Sequence, residues 1–361
     1  MSEALEYEVI TPLVSFTSFS QFEDALRSSQ LGGYDEVWFR KNLEADRLVG
    51  LARELFDRGL PPIVSSRAFA LLFGVSPRLI PAMTKSPEKY WRTFAIKKAS
   101  GKSRTITAPR VFLKTVQRFV LKLILEKQAI HPSAFGFAPG RGTVKHAEVH
   151  LKAPFVLTLD IADFFPSMTW IQVREIFVRI GFPDTVPVLL ADLCTRNKVF
   201  PQGAPTSPFL SNLIFLETDR ALAEAAHSFD MRYSRYADDL TFSSDEKPSD
   251  EARLALESII KSAGFKLQRS KTRLRGPSES RQVTGLQVNE KVQPPRYTRR
   301  VLRAKFHNVS QGRGSEADST SVLRGWASYV NTYDSAKGRK YLSILKNRLS
   351  EIEESSDNVT L

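Results

Sequence analysis

The chain has 361 residues, 42% of them hydrophobic, with a single cysteine and a formal net charge of +13. That length can bury a core for two or three subdomains, while the lone Cys194 excludes an intrachain disulfide and points to a reducing, cytoplasmic setting. The scattered histidines give no zinc spacing, no apolar run is long enough to span a membrane, and the acidic start MSEALEYEVI lacks a signal-peptide core, so the positive balance calls for a polyanionic partner.

From about Ser20, apolar residues recur at helical spacing (Phe22, Leu26, then Val37, Leu43, Leu48, Leu51, Leu55) until Pro61-Pro62, so residues 1–62 are expected to form a helical extension. Ser65–Met83 reads as two short helices about a Gly-Val turn. A DNA-reading helix-turn-helix would have that outline, but a small packing unit is the expectation. Phe94-Ala95-Ile96 and Thr105-Ile106-Thr107 are β-like runs joined by KKASGKSR, a hairpin with a basic tip. Lys97, Lys98, Lys102 and Arg104 projecting from it suit triphosphate or backbone phosphates. Arg92–Lys122 holds nine Lys/Arg and no acid, and Val111–Ile130 reads as a buried helix with a basic outer face. His131–His150 is a loop with aromatics and glycines that enters a helix at about Thr143.

In Pro154–Phe165, PFVLTLDIADFF, the nearly all-apolar Phe155–Leu159 reads as a strand covered on both faces. It ends in Asp160, with Asp163 three residues on, and a carboxylate ending a buried strand is costly unless a cation meets it. Helices are expected over Met168–Ile180 and Val186–Cys194. In FPQGAPTSPFLSN, Gly203 sets a rigid turn and Ser207-Pro208 opens a helix running through Leu222, with free N–H groups at its mouth. Gln202 there has the donor and acceptor to grip a sugar hydroxyl or base edge. RYSRYADDLTFS, Arg232–Ser243, then reads as a hairpin whose turn carries Asp238 and Asp239. A lone Asp-Asp is usually a solvated turn, but here a second acidic strand end lies upstream. With the two side by side, Asp160 and Asp238 would face each other and repel. Mg²⁺, which prefers one or two carboxylates plus substrate phosphates, would remove that repulsion. Two such ions clamp the attacking and leaving oxygens of an in-line phosphoryl transfer.

Downstream, Asp250–Ala263 is an amphipathic helix, Phe265–Thr272 an exposed basic turn or strand, and Gln282–Asn289, QVTGLQVN, alternates as a strand. Lys291–Arg348 sets thirteen Lys/Arg against Glu316, Asp318 and Asp334. This tail is expected to be helical, with Trp326, Tyr329 and Tyr333 at helical spacing and Trp326 in its core.

Taken in order, IKKASGKSRTI, LTLDIADFF, FPQGAPTSP, YADD, FKLQRSKT and GLQVN resemble the blocks of the reverse transcriptase family. Within it the chain is most similar to bacterial retron enzymes. Val283-Thr284-Gly285 matches their VTG block, and His146–His150 resembles their NAxxH block with His146 where Asn is expected. The resemblance implies an α+β right-hand polymerase behind the 1–62 extension. Fingers would cover 63–153 with 166–205 contributing, a palm with an antiparallel sheet 154–290, and a basic helical thumb 291–361. It implies RNA-directed DNA synthesis from deoxynucleoside triphosphates on a cognate structured non-coding RNA, with two Mg²⁺ ions (Mn²⁺ as substitute). The product would be single-stranded DNA branched from RNA by a 2′–5′ bond, serving anti-phage defence beside an accessory effector or toxin protein. The alternatives are a group II intron-like, abortive-infection, diversity-generating or CRISPR-linked reverse transcriptase, or a non-catalytic RNA-binding scaffold.

By position, the resemblance makes Asp160, Asp238 and Asp239 catalytic and adds Ile161 to them as a metal position. Lys97, Arg104 and Asp163 would surround the triphosphate, and Gln202 would touch the incoming sugar. Phe165 would stack under that sugar and block a 2′-hydroxyl, and Lys271 would sit near the leaving pyrophosphate. Gly285 and Leu286 would hold the primer end, and Arg296, Arg299, Arg300, Arg303 and Lys305 would meet nucleic acid.

Overall fold

The computed structural model describes residues 15–30, 37–97, 101, 103–183, 185–313 and 319–357. Apolar periodicity builds the first helices, α1 (Phe19–Gln30) and α2 (Val37–Asp57), which meet through the Phe19 and Phe56 rings 5.1 Å apart. Ser65 caps α3 (Ser66–Leu72) by accepting the Ala68 N–H, and α4 (Leu79–Lys85) and α5 (Pro87–Tyr90) follow. Phe69 of α3 is fully buried against Phe73 and Phe119, which makes this pair of helices a packing unit. The basic hairpin is present as β1 (Trp91–Lys97) and β2 (Ser103–Pro109), paired antiparallel. Lys98 and Lys102 of its tip lie outside the described residues. Helix α6 (Val111–Leu123) buries Val116, Phe119 and Val120 and turns Lys114, Arg118 and Lys122 outward. It stops short of Ile130, giving way to a 3₁₀ turn at Leu125–Lys127.

Next come α7 (Thr143–Val149), β3 (Phe155–Asp160), α8 (Phe164–Ser167), α9 (Trp170–Ile180) and α10 (Val186–Cys194). A Thr169–Gln172 capping box starts α9 and left-handed Gly181 ends it. The helix expected from Ser207 through Leu222 is two helices, α11 (Ser207–Ile214) and α12 (Leu216–Ser228), broken at the buried Phe215. Strands β4 (Arg232–Tyr236) and β5 (Asp239–Ser244) form the acidic hairpin, followed by α13 (Asp250–Ser262) and β6 (Arg273–Arg275). QVTGLQVN is not one strand. It folds back as β7 (Gln282–Val283) and β8 (Leu286–Gln287), because Thr284 and Gly285 both take positive φ, the geometry that closes a two-residue hairpin.

Three helices complete the chain, α14 (Arg296–Ser310), α15 (Thr320–Tyr333) and α16 (Ser335–Asp357). They share a core of Leu302, Phe306, Val309, Leu323, Ala327, Val330, Tyr341 and Leu345. Gly338 is required there, since a Cβ would lie 2.4 Å from Asn331 Cα. Trp326 is not in that core. It is 36% exposed, because the α15 residues that point inward are Leu323, Ala327 and Val330.

The described residues of 1–131 and 162–220 form one compact unit, and those of 132–161 and 221–361 a second. The second contains a four-stranded antiparallel sheet in the order β4-β5-β3-β6, and helices and antiparallel strands together make the fold α+β. No helix among the described residues is long and apolar enough to cross a membrane.

Candidate active site

Strand β3 brings Asp160 to the middle of the sheet because Val156, Leu157 and Leu159 are buried between flanking strands β5 and β6. The register sets Asp160 opposite Asp239, not Asp238. The hairpin turn consists of Ala237 and Asp238, which makes Asp239 the first residue of β5, so the turn carries one carboxylate rather than two. Directly opposed residues in an antiparallel pair share a face, so two like charges meet there. The end of β3 is held from both sides. Ile161 N–H donates to Asp238 C=O at 3.0 Å, and Gln268 N–H donates to Asp160 C=O at 2.8 Å.

A cation answers this acidity. Lys271, in the 3₁₀ turn before β6, places Nζ 2.7 Å from Asp160 Oδ2. That hydrogen bond, with the surrounding carboxylates, raises the lysine pKa and keeps it charged. The Asp239 carboxyl is pushed up to about 6, first by burial and then by Asp238 and Asp160, with Lys271 pulling the other way. A single lysine leaves the three carboxylates with excess negative charge. Among the described residues no three His, Cys, Asp or Glu side chains are gathered as a finished metal centre. A hard cation that takes one or two carboxylates and completes its shell with substrate phosphates and water needs no such gathering, and an all-oxygen, over-charged donor set fits it. Ile161 has only its main chain to offer.

The acidic turn is also braced from behind, by residues to which the sequence patterns assign no role. Ala134 bridges to Arg235 as an extra parallel partner of β4: Phe135 N–H donates to Arg235 C=O at 2.7 Å, and Arg235 N–H to Ser133 C=O at 2.8 Å. The fully buried Arg235 guanidinium donates to Ala237 C=O at 3.1 Å. Gly136 lies so close to the turn that a Cβ would sit 2.6 Å from Ala237 N. Just past α7, His150 spans the two strands, with Nδ1 2.7 Å from Ser243 Oγ and Nε2 2.6 Å from Ser234 Oγ. Burial lowers its pKa well below the usual histidine value, so it bridges as a neutral ring. His146, one turn earlier, is likewise buried and its pKa is pushed down to about 4; its Nδ1 lies 3.5 Å from Thr284 Oγ1 in the β7–β8 turn. The sequence signal for this brace is the pair of histidines four residues apart at helical spacing.

The remaining expected positions divide between the two units. In the first, Lys97 and Arg104 are exposed across the β1–β2 hairpin, paired with Ser103 and Ile96. Gln202 C=O accepts the Thr107 N–H at 2.9 Å, which ties the Phe200–Asn212 loop to that hairpin. Gly203 permits this approach, with φ +125° and only 2.8 Å from a Cβ position to Ile106 Cγ2. Asp163 takes a left-handed conformation at the start of α8, and Phe165 stacks on buried Phe200 at 6.0 Å with an interplanar angle of 10°. In the second unit, Gly285 makes its turn, but Leu286 is 1% exposed in a core with Ala147, Val156 and Val283, leaving only its main chain for any primer. Arg296, Arg300 and Arg303 are exposed on α14, while Arg299 and Lys305 are half-buried.

Residues 96–288, which span all the catalytic candidates, match the family described as "Reverse transcriptase (RNA-dependent DNA polymerase)". The chain belongs to the reverse transcriptase family. Its similarity to retron members extends well beyond that stretch. Retron Ec86 reverse transcriptase of Escherichia coli is 33% identical over 295 residues, covering 81% of this chain and 91% of that protein. Retron Mx162 reverse transcriptase of Myxococcus xanthus is 32% identical over 335 residues, covering 82% and 68%. Retron Mx65 reverse transcriptase of the same organism is 35% identical over 300 residues, covering 77% and 70%. Among solved structures, the Sicinivirus 3Dpol RNA dependent RNA polymerase aligns with 75% of this reverse transcriptase and 65% of its own chain, at TM-score 0.43 and 14% identity.

Proposed function

We propose that this reverse transcriptase extends a DNA strand on a structured RNA template, in the manner of retron enzymes. The observation that carries the reading is the carboxylate cluster: Asp160 and Asp239 in opposed register, Asp238 in the adjoining turn, and Lys271 bonded to Asp160. Asp160 and Asp238, with Asp239 in support, would hold the divalent cations. Bound there, such cations would supply charge neutralisation for the reacting phosphates. Lys271 is a charged group already inside the cluster, able to exchange the Asp160 carboxylate for a phosphate oxygen. Phe165 on its Phe200 support provides a flat wall for the incoming sugar, and Lys97, Arg104 and Asp163 take the triphosphate side. The 63–153 segment, with 166–205 contributing, would take the role of fingers, 154–290 that of palm and 291–361 that of thumb.

Asp238→Asn should abolish extension of a primer on an RNA template while duplex binding persists, because it removes a ligand and leaves the basic surfaces intact. Near-full activity in that variant would sink the assignment.

The retron character goes further, to a DNA joined to its own RNA through a 2′–5′ bond and used in anti-phage defence with an effector protein. The retron relatives and the Val283–Gly285 turn against His146 support it. Expression with the native flanking DNA should yield a short single-stranded DNA whose mobility shifts with RNase and which a debranching enzyme releases. A linear product primed from an ordinary 3′ end removes the branch and leaves the polymerase.

A further inference from the structure

A cavity of about 540 Å³ lies between α7 and the last three helices, apart from the carboxylate cluster. Its charged lining is balanced, with Lys291, Arg299 and Lys337 against Glu148, Glu290 and Asp334, yet none of the six forms an ion pair with another side chain among the described residues. Asp334 accepts the Lys337 main-chain N–H, at 3.0 Å. Arg299 has its Nε buried with no acceptor among the described residues. A buried donor without a partner is costly, so Arg299 is the group that most calls for an anionic guest, while Glu148, Glu290 and Lys291 are exposed charges of the lining that a guest can also reach. The walls between them include Val144, Leu302 and Tyr333, and burial pushes the Tyr333 phenol up to about 12, so it stays a neutral aromatic donor.

We propose that this cavity binds a single unstacked nucleotide of an RNA strand, an inference that rests on the reverse transcriptase reading above. A nucleotide supplies what the lining lacks: an anionic phosphate for Arg299, a flat ring to lie against Tyr333, and base-edge amino and carbonyl groups for carboxylates and ammonium groups. The volume falls in the range of small-ligand sites. Single-stranded RNA is read in this way, by splayed bases held on aromatic and charged groups. The strand has a path to the cavity. Arg296, Arg299, Arg300 and Arg303 follow helical spacing along one stripe of α14, three of them exposed and Arg299 at the cavity. Helix α7 gives the site a consequence. Val144 and Glu148 line the cavity while His150, just past the same helix, holds the two strands of the acidic hairpin, so an occupant touches the helix that braces the catalytic turn.

The test irradiates the full chain with a short single-stranded RNA carrying 4-thiouridine and identifies cross-linked peptides by mass spectrometry. Cross-links are expected at cavity residues such as Tyr333. They should vanish in Thr332→Trp, which fills the space, with RNA binding about tenfold weaker, the scale of a single base-stacking interaction. Glu148→Gln, a surface change that spares the fold, should reduce the cavity cross-links while those at exposed Tyr297 persist. Cross-links confined to Tyr297 and its neighbours, unchanged in both variants, would overturn the proposal. So would a cavity protected by guanosine 5′-monophosphate but never cross-linked by RNA, since the occupant would then be a free nucleotide. Extension of oligo(dT) on poly(rA) by the unaltered chain runs alongside. Its absence removes the reverse transcriptase reading itself, whereas extension without cavity cross-links removes only this site.

Discussion

In the proposed function, Phe165 would set substrate choice through its support rather than its own shape alone. It stacks nearly parallel on Phe200, which is 1% exposed and therefore cannot swing away. A wall fixed from behind rejects an extra hydroxyl by steric clash, whereas a mobile one would yield. Phe165→Ala should therefore raise incorporation of ribonucleotides relative to deoxynucleotides by about ten- to a hundredfold, the range of a small steric difference in a pocket. Competition between the two triphosphates at one template position measures it, and an unchanged ratio would place the gate elsewhere. The aspartates of the proposed site would act differently, through charge rather than shape. Lys271→Met removes the cation bonded to Asp160 and the influence that lowers the Asp239 pKa. The carboxyl should then titrate higher still, and extension should fall most steeply toward acid pH. A pH–rate profile of Lys271→Met parallel to that of the parent would show that the lysine does not tune the cluster.

At the scale of elements, α7 and its cap connect the β7–β8 turn to the acidic hairpin, through His146 to Thr284 and His150 to Ser234 and Ser243. Both rings are harder to protonate folded than unfolded, chiefly because they are buried, with Arg235 and Arg232 adding repulsion. Between pH about 6.5 and 4 the unfolded chain thus binds more protons. Stability from His146 is complete above about 6.5 and lost as pH falls toward 4, on the order of 3 kcal/mol for a fully desolvated ring. Chemical denaturation at a series of pH values should show that loss, and His146→Asn should flatten it; equal acid sensitivity in the variant would assign it to other groups. Gly136→Ala tests the brace from the other side, since the added methyl must displace the Ala237 main chain. Extension should drop at least tenfold, beyond what the typical 1–3 kcal/mol loss of overpacking does to folding. The acidic strand, the hairpin and the loop between them were legible in sequence because each is a local pattern with its own period and turn chemistry. The pairing of Asp160 with Asp239 was not, because β3 and β5 are buried along nearly their whole length, so no apolar–polar alternation marks their faces and only counting the turn fixes the register. Nor was the exposure of Trp326, since a helical stripe of aromatics looks the same whichever side faces its neighbours.

For the whole molecule, net charge was the clearest signal, and the structure gives it a place. Of the +13 total, much of the positive charge lies beyond Lys291, where α14 turns Arg296, Arg300 and Arg303 to solvent, none of the three in an ion pair among the described residues. Exposed cations without partners add little to folding, so a surface that keeps them is shaped for a polyanion. Each phosphate they neutralise releases a condensed counterion, which makes log affinity fall linearly with log salt. Replacing all three arginines by glutamate should weaken binding of single-stranded RNA and flatten that line by up to about three units, at roughly 0.7 for each phosphate no longer neutralised plus the added repulsion. The fold should hold, because the buried residues of α14 are Leu302, Phe306 and Val309. Binding isotherms across a salt series give the slope directly. If the triple variant keeps the parent slope, the stripe does not follow the phosphate backbone, and α14 serves only as a wall of its three-helix core.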